Sequence, residues 1–204
     1  MSVIRRLPRY YRFLCELENE ELDKISSTKL AQIMHVTASQ VRQDLNCFGG
    51  FGQQGYGYSV SQLKSEIENI LGLNRRIKAV LIGAGNFGTA IATHLDFKKL
   101  GFDLIAAFEK DEKKIGGHLG KIPVLSEDEL ELFCGRQKPE AAVLCIPRSC
   151  VKGVLDKLYR LGIKNYWNFS HYDIGADYQD TVVENVHLSD NLMTLCYRIN
   201  HQSE

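Results

Sequence analysis

Residues 78–95 limit the possible folds of this chain more than any other segment. The apolar run from Lys78 to Ile82 has the composition of a buried strand and is followed at once by Gly-Ala-Gly-Asn-Phe-Gly. A helical pattern then places Ile91 and Leu95 on one face. A strand, a G-x-G-x-x-G turn and a helix in this order are typical of a Rossmann fold that binds a pyrophosphate at the helix N-terminus. The candidate cofactor-binding residues of this turn are Gly83, Ala84, Gly85, Asn86, Phe87 and Gly88.

An acidic residue lies at the distance from this turn that a dinucleotide site requires. The next apolar run, Leu104–Phe108, ends in Glu109, which comes 21 residues after Gly88. An acid there hydrogen-bonds the adenosine ribose and repels a 2′-phosphate, so the pattern favours NAD(H) over NADP(H). Asp111 adds a second negative charge, whereas Lys110 partly offsets it. Binding of a different nucleotide, such as coenzyme A, is the alternative interpretation.

Strands and helices continue to alternate beyond residue 125, which predicts a parallel sheet. Pro147 closes one of these strands, near the place where a nicotinamide ring would lie, and is a further candidate cofactor residue. The predicted elements are strands at 141–146, 166–169 and 182–186, a helix at 149–161 and a short helix opened by a capping box at 126–129.

The first part of the chain predicts a helix-turn-helix. Residues 8–17 form a helical pattern, Ser26 or Ser27 can cap a second helix, and Thr37 begins a third, with Gln40 at capping-box spacing. Arginine can read guanine and glutamine can read adenine in a major groove. The alternative is an ordinary solvated helix face. The predicted outward residues of the third helix are Ser39, Gln40, Arg42, Gln43 and Asn46.

A glycine-rich segment with interleaved aromatic residues, 49–58, follows this helix. Glycines permit the tight turn of a hairpin, so the segment predicts the wing of a winged helix. A flexible linker is the alternative, which the three aromatic side chains disfavour. A helix at 61–71 then ends at Gly72. We therefore expect a winged-helix DNA-binding domain at 1–75, a Rossmann NAD(H)-binding domain at 76–186 and a C-terminal segment at 187–204.

The composition adds little beyond these motifs. The 204 residues carry 25 basic and 25 acidic side chains, so net charge gives no sign of nucleic acid binding. The first acid comes after four arginines, an N-terminal patch that can bind phosphate or form a solvated turn. No apolar run approaches the length of a membrane span, so we expect a cytoplasmic protein without a membrane partner. The six cysteines form no C-x-x-C pair, which favours reduced core thiols and no metal site.

The C-terminal segment predicts an amphipathic helix capped by Ser189 or Asp190. Such a helix can dock on its own domain or on a second subunit, and the sequence does not separate the two. Its apolar stripe consists of Leu192, Leu195, Cys196 and Ile199.

Taken together, the motifs resemble the Rex family of redox-sensing transcriptional repressors over nearly the whole chain. The order of winged helix, Rossmann domain and terminal helix agrees with that family. The residues that carry the resemblance are Ser26-Ser27-x-x-Leu30, the run 36–45, Phe48-Gly49, Gly55-Tyr56-Gly57-Tyr58, the run 70–73, the glycine turn 83–88, Asn168-Phe169 and the run 183–186.

The resemblance implies an α/β chain that forms a homodimer by swapping its C-terminal helix. It implies no enzymatic activity, but a repressor that binds an inverted-repeat operator in double-stranded DNA and leaves it when NADH binds. NADH and NAD+ are the implied ligands. The candidate DNA-binding residues are Arg6, Arg12, Thr37, Ser39, Gln40, Arg42, Gln43, Gln54 and Tyr56, and the candidate switch and dimer residues are His94, His187, Leu192, Leu195 and Ile199.

Some positions depart from what the family usually carries. Gln43 and Gln54 stand where basic residues are usual, which predicts weaker DNA binding with a flatter salt dependence. His94 stands where a tyrosine is usual and His187 where an aspartate is usual, so the switch contacts can become sensitive to pH. An ordinary surface or core histidine is the alternative for both.

Two other functions compete with the repressor. A small NAD-dependent dehydrogenase is disfavoured because little chain remains for a substrate domain and no Ser-Tyr-x-x-x-Lys pattern occurs. A dinucleotide-binding relative that has lost operator binding is the other alternative, and the glutamines at 43, 53 and 54 make it plausible.

Overall fold

Proline and serine side chains set where the first helices begin. The computed structural model describes residues 2–49 and 57–201. Pro8 lies in the first turn of helix α1, and the Ser26 and Ser59 hydroxyls accept hydrogen bonds from the first turns of α2 and α4. The N-terminal elements are a 3₁₀ turn Val3–Arg5, α1 Leu7–Asn19, β1 Lys24–Ile25, α2 Ser27–Met34, α3 Ala38–Asn46, β2 Tyr58–Ser59 and α4 Val60–Leu71.

The chain divides into two units, Met1–Arg75 and Arg76–Glu204, each with its own hydrophobic core. In the first unit the four α-helices bury one apolar stripe each around a common centre. Leu14 of α1, Leu30 of α2 and Ile67 of α4 are fully buried there. The periodicity of three and four residues that predicted these helices is the periodicity of this core.

Helices α2 and α3 form the predicted helix-turn-helix. His35 ends α2 in the left-handed region at φ 51°, and Thr37 caps α3 by accepting a hydrogen bond from the Gln40 backbone N–H at 3.1 Å. The Gln40 side chain does not complete a capping box, because its amide donates to Asp44 Oδ1 at 2.8 Å instead. Gln40 is therefore half-buried, and its side chain faces solvent less than the sequence predicted.

Only the last part of the predicted wing can be described. Tyr58 pairs with Ile25, so β1 and β2 form a small antiparallel sheet. Gly57 has φ +76°, and a Cβ atom there would lie 2.6 Å from the Ile25 carbonyl oxygen, so this position needs glycine. Gln54 and Tyr56, two candidate DNA-binding residues of the wing, lie outside the described residues.

The second unit is a parallel sheet with helices between its strands. Its elements are β3 Ile77–Ile82, α5 Asn86–His94, β4 Phe102–Glu109, β5 His118–Leu119, β6 Ile122–Ser126, a 3₁₀ turn Glu127–Glu129, α6 Leu130–Gln137, β7 Ala141–Leu144, α7 Arg148–Arg160, β8 Asn165–Asn168, α8 Ile174–Asp177, β9 Val182–Asn185 and α9 Leu188–Asn200. The strand order is β5-β6-β4-β3-β7-β8-β9, and only the β5–β6 pair is antiparallel.

Without β5, this order is that of a dinucleotide-binding Rossmann sheet, with β3 as its first strand. The chain runs from β3 outward to β4 and β6, then crosses back to β7 on the other side of β3. The Gly83 N–H donates to the Phe108 carbonyl, whereas the Cys145 N–H donates to the Ile82 carbonyl, both at 2.8 Å. The strand order therefore reverses at the glycine turn, with β4 on one side of β3 and β7 on the other. Folds of this kind bind ligands at that reversal.

The C-terminal helix differs from its prediction at its start. Helix α9 begins at Leu188, one or two residues before the expected cap, and the residue at the N-cap position is His187. The His187 ring makes no capping bond to the helix, because its Nδ1 atom lies 2.6 Å from Nδ1 of His171. Every residue of α9 is exposed within the single chain.

The cysteines are free, but the expectation that all are core thiols is wrong. Cys134 is buried and Cys15 and Cys145 are partly buried, whereas Cys47 and Cys196 are exposed, as is Cys150. Among residues 2–49 and 57–201, no group of three or more His, Cys, Asp or Glu side chains could hold a metal ion. No helix in the described ranges combines the length and apolar character needed to cross a membrane.

Candidate functional site

The glycine turn forms an open cradle at the start of α5. Gly83 has φ +95°, and a Cβ atom on Gly88 would lie 1.9 Å from the Gly83 carbonyl oxygen, so both positions need glycine for the turn itself. A Cβ atom on Gly85, by contrast, would meet nothing within 4 Å. Glycine at position 85 therefore leaves an open space beside the turn. A pyrophosphate needs such a space to approach the backbone closely.

The start of α5 offers hydrogen-bond donors to this space. Gly85 is its N-cap residue and supplies no capping side chain, and the N–H groups of the first helical turn lack partners within the helix. These groups include the backbone of Asn86, Phe87 and Gly88. Their dipoles favour an anion at this end of the helix, so the cradle fits a pyrophosphate.

The acid predicted to bind ribose lies at the carboxyl end of β4. Oε1 of Glu109 accepts hydrogen bonds from the N–H groups of Lys110 at 2.7 Å and Asp111 at 3.2 Å. A carboxylate has about four acceptor positions, so Oε2 keeps its capacity for ribose hydroxyls. Asp111 is exposed, and its own carboxylate accepts from the Lys113 N–H at 3.1 Å. Asp111 therefore caps the following turn, and Glu109 is the better candidate for the ribose contact.

Aromatic and apolar side chains line the opposite side of the turn. Phe87 packs edge-on against Phe169 with ring centroids 5.0 Å apart, and Phe169 packs in the same way against Trp167 at 4.6 Å. Pro147 follows β7 and directly precedes α7. The rings of Phe87, Phe169 and Trp167 therefore form one aromatic cluster beside the turn.

A thiol lies directly beside the glycine turn. The Cys145 carbonyl oxygen and Cβ atom are among the nearest neighbours of Gly83 and Gly88 respectively. Burial raises the pKa of the Cys145 thiol to about 12. The side chain is therefore a neutral thiol that fills space behind the cradle.

The candidate recognition surface of the first unit is the outer face of α3. Ser39, Arg42, Gln43 and Asn46 are exposed at the spacing of one helix face. Arg42 also donates from Nη1 to the Ser27 hydroxyl at 3.1 Å, which ties it to the start of α2. Four of its five N–H donors remain outside this bond.

A buried carboxylate, Asp44, fixes α3 from its inner side. Its side chain is 2 % exposed and accepts from Arg6 Nε at 2.7 Å, Arg6 Nη2 at 2.5 Å and the Tyr10 hydroxyl at 3.1 Å. Burial raises the pKa of Asp44, but hydrogen bonds from Arg6, Gln40 and Tyr10 outweigh it and hold the pKa below its ordinary value. Asp44 therefore joins the recognition helix to the start of the chain.

This contact gives Arg6 a structural role besides the predicted one. Its guanidinium makes a two-pronged bond to Asp44, which raises the pKa of Arg6 and supports α3. A contact of Arg6 with phosphate stays a prediction. Arg12 is exposed on α1 and lies 5.8 Å from the centre of the Phe13 ring. Asp44 was not a candidate in the sequence, although an acid between the inward-facing Val41 and Leu45 is a signal that a cation must reach it.

The two candidate switch histidines have different surroundings. His94 is exposed at the end of α5, and its ring makes no hydrogen bond or ion pair with any described residue. The His187 ring stacks on His171 with centroids 4.7 Å apart. His171 has φ +58°, a backbone state that no local sequence signal predicts for histidine.

The candidate dimer residues lie on α9 and are exposed, as are their neighbours. Leu192 is 68 % exposed, Leu195 51 % and Ile199 57 %. An apolar stripe of this kind needs a partner surface, and the single chain does not cover it.

Comparison with known proteins finds matches to each of the two units. Residues 1–46 match the family model described as "Putative DNA-binding protein N-terminus", and residues 74–172 match the one described as "CoA binding domain". The structure superposes on that of RSP in complex with β-NAD+ and operator DNA with a TM-score of 0.90 at 45 % identity, covering all of this chain and 94 % of that one. RSP in complex with β-NADH gives a TM-score of 0.89 at 43 % identity, covering all of this chain and 95 % of that one.

Curated relatives extend over the same length. The redox-sensing transcriptional repressor Rex of Thermoanaerobacter sp. strain X514 is 46 % identical over 202 residues, which are 99 % of this chain and 90 % of that protein. The Rex repressor of Clostridium botulinum strain Hall is 47 % identical over 200 residues, 98 % of this chain and 95 % of that protein. Because these relatives match nearly the whole chain, this protein belongs to the Rex family of redox-sensing transcriptional repressors.

Proposed function

We propose that this protein is a redox-sensing repressor that binds operator DNA through its first unit and releases it when NADH binds to its second. The observation that carries the proposal is the open cradle at Gly85, at the divergence of a Rossmann sheet, on the same chain as an exposed helix-turn-helix face. Such a protein is a ligand-controlled two-state binder and not an enzyme. Because it acts on chromosomal DNA, the proposal implies a cytoplasmic protein.

In the second unit, the chain's own groups divide the work of binding. The backbone N–H groups of residues 86–88 bind the pyrophosphate, and Glu109 Oε2 accepts from the adenosine ribose. The bound dinucleotide supplies the redox signal, since its nicotinamide ring is cationic when oxidised and neutral when reduced. Phe87, Phe169 and Pro147 offer that ring an apolar surface. Because an unpaired charge is costly on such a surface, these residues favour the neutral form.

In the first unit, we assign base contacts to Arg42 and its neighbours Ser39 and Gln43. Thr37 caps the helix whose N-terminus would approach the DNA. Gln40 and Arg6 support Asp44 and so act on DNA indirectly, by holding α3 in place. Arg12, Gln54 and Tyr56 are proposed as outer contacts to phosphate or to the minor groove.

A second subunit is the proposed partner of α9. Leu192, Leu195 and Ile199 form an apolar stripe along a helix whose residues are all exposed in the single chain. A homodimer that covers this stripe, by exchange of the helix between subunits, would also match two recognition helices to the two halves of an inverted repeat. His94 and His187 are proposed to take part in the switch contacts at that interface.

Coenzyme A is a less suitable ligand, although one matching family model bears its name. Coenzyme A carries a phosphate on its adenosine ribose, where Glu109 would oppose it with a negative charge. The same repulsion disfavours the 2′-phosphate of NADP(H). The carboxylate at the end of β4 therefore supports an adenosine ribose with free hydroxyl groups.

The direct test is binding to labelled inverted-repeat operator DNA, titrated separately with NADH and with NAD+. We expect NADH to release the DNA at micromolar concentration and NAD+ to leave it bound at the same concentration. If the protein binds NADH by calorimetry but no operator under any condition, it is a dinucleotide-binding relative without this output.

Replacing Arg42 by alanine should weaken operator binding by about 1–3 kcal/mol if Arg42 contacts a base. The loss should be largest for the operator base pair that it reads, as a scan of operator variants by gel shift would measure. The charge-matched control is Arg136→Ala, which removes an exposed arginine of α6 in the other unit. Equal losses for the two variants would remove Arg42 from the recognition surface.

A further inference from the structure

The adenosine end of the proposed cofactor site contains a lysine whose charge opposes the expected specificity. Lys110 directly follows Glu109 at the carboxyl end of β4. In sites that accept NADP(H), a cationic side chain near this position binds the 2′-phosphate. Lysine can serve as a compact cation on a long, flexible stem, so Lys110 is within reach of that role unless something holds it elsewhere.

The structure contains a side chain that holds it. The Lys110 Nζ atom lies 3.4 Å from Oε1 of Glu127, and the Lys157 Nζ atom lies 3.9 Å from the same oxygen. Glu127 is the fixed member of this group, with 14 % of its side chain exposed against 63 % for Lys110. One carboxylate is therefore shared between two lysines.

Two features of the fold fix Glu127 beside the cofactor site. Strand β6 pairs with β4 so that Ser126 lies opposite Glu109, which places Glu127 one residue beyond this pair. The turn that begins at Glu127 is closed by a capping box. The Ser126 hydroxyl accepts from the Asp128 N–H, and Glu129 Oε1 accepts from the Ser126 N–H, both at 3.2 Å. The backbone of Glu127 is thus held next to the end of β4, and its carboxylate contacts the two lysines from there.

From this geometry we infer that Glu127 is a specificity-determining residue, which excludes NADP(H) by holding Lys110 away from the adenosine ribose. The inference rests on the proposed NADH site. Glu109 repels a 2′-phosphate directly, and Glu127 prevents the neighbouring lysine from neutralising that repulsion. Lys157, in the last turn of α7, competes for the same oxygen and is released together with Lys110 when the carboxylate is removed.

The test is Glu127→Gln, with NADH and NADPH binding each measured by fluorescence titration at low and at high ionic strength. We expect the ratio of the NADPH to the NADH dissociation constant to fall about tenfold at low ionic strength, since a freed lysine gains one close phosphate partner. The fall should shrink at high ionic strength because the charges are near solvent. NADH binding by the variant also reports that the unit is folded.

Two further variants separate Lys110 from general charge. In Glu127→Gln/Lys110→Met the ratio should return toward that of the parent protein, and in Asp128→Asn it should not fall. Asp128 is exposed and forms no ion pair within the described ranges. An unchanged ratio in Glu127→Gln, or a fall that persists without Lys110, overturns the inference. Failure of the parent protein to bind NADH would instead contradict the proposed function.

Discussion

Replacing Gly85 by valine should abolish the response to micromolar NADH while operator binding persists. The valine side chain would occupy the open space at the start of α5, where no protein atom lies within 4 Å of the added Cβ. The apo fold can therefore accept the change, because the backbone at φ −67° and ψ −178° is extended and open to any residue. Overpacking against a pyrophosphate should lower NADH affinity roughly a hundredfold, about 2.7 kcal/mol.

Calorimetric titration with NADH and gel shifts on operator DNA would measure the two effects. Gly153→Val is the matched control, because its Cβ also meets nothing within 4 Å but lies on an exposed face of α7. Gly88→Ala should behave differently from both, since its Cβ would clash with the Gly83 carbonyl and the variant should lose stability. Release of DNA by NADH from the Gly85→Val protein would show that the site is wrongly placed.

Replacing Asp44 by asparagine should destabilise the first unit by about 2–4 kcal/mol. Asparagine keeps the shape of the side chain. Its amide NH2 group, however, would stand where a carboxylate oxygen now accepts a hydrogen bond from Arg6, Gln40 or Tyr10, so two donors would face each other. Amide hydrogen exchange in α1 and α3 would measure the loss of protection. Operator binding should weaken in parallel, although Asp44 itself is buried beneath the recognition surface.

The pH dependence of this effect follows from the lowered pKa of Asp44. The stabilisation is complete above the ordinary aspartate pKa of about 4 and is lost as the pH falls through the lowered folded value. The difference in the free energy of unfolding between parent and variant should therefore become smaller in acid. The control is Glu18→Gln, which removes an ion pair to Lys64 of 2.5 Å in the same unit. Because Glu18 is exposed, its loss should cost less than about 1 kcal/mol, and an equal cost for both would contradict the role of Asp44.

The sequence was most informative where the signal is local. The strand, turn and helix at 77–94 were predicted from glycine spacing and apolar periodicity, and the N-caps at Ser26 and Thr37 from their hydroxyl groups. Strand β6 was not predicted because Pro123 interrupts its short apolar run, and proline argues against a strand. Helix α8 is only four residues long and leaves almost no periodicity to detect.

These local patterns could not predict contacts between residues that are far apart in the sequence. Arg6 and Asp44 are 38 positions apart, and their pairing depends on how α1 packs against α3. The His171–His187 contact joins a residue in an unusual backbone state, His171, to the N-cap residue of α9. In both cases the residue types were visible in the sequence, but their partners depend on tertiary structure.

The reactivity of the Cys145 thiol behind the glycine cradle determines whether oxidants can modify this site directly. Peroxide and alkylating reagents attack thiolates, and with a pKa of about 12 the Cys145 sulfur stays protonated at any pH that a cell reaches. The exposed Cys47 and Cys150 should therefore be modified first in a mass-spectrometric footprint. An oxidant would then reach the cradle through the ratio of NADH to NAD+ more readily than through the Cys145 thiol beside it.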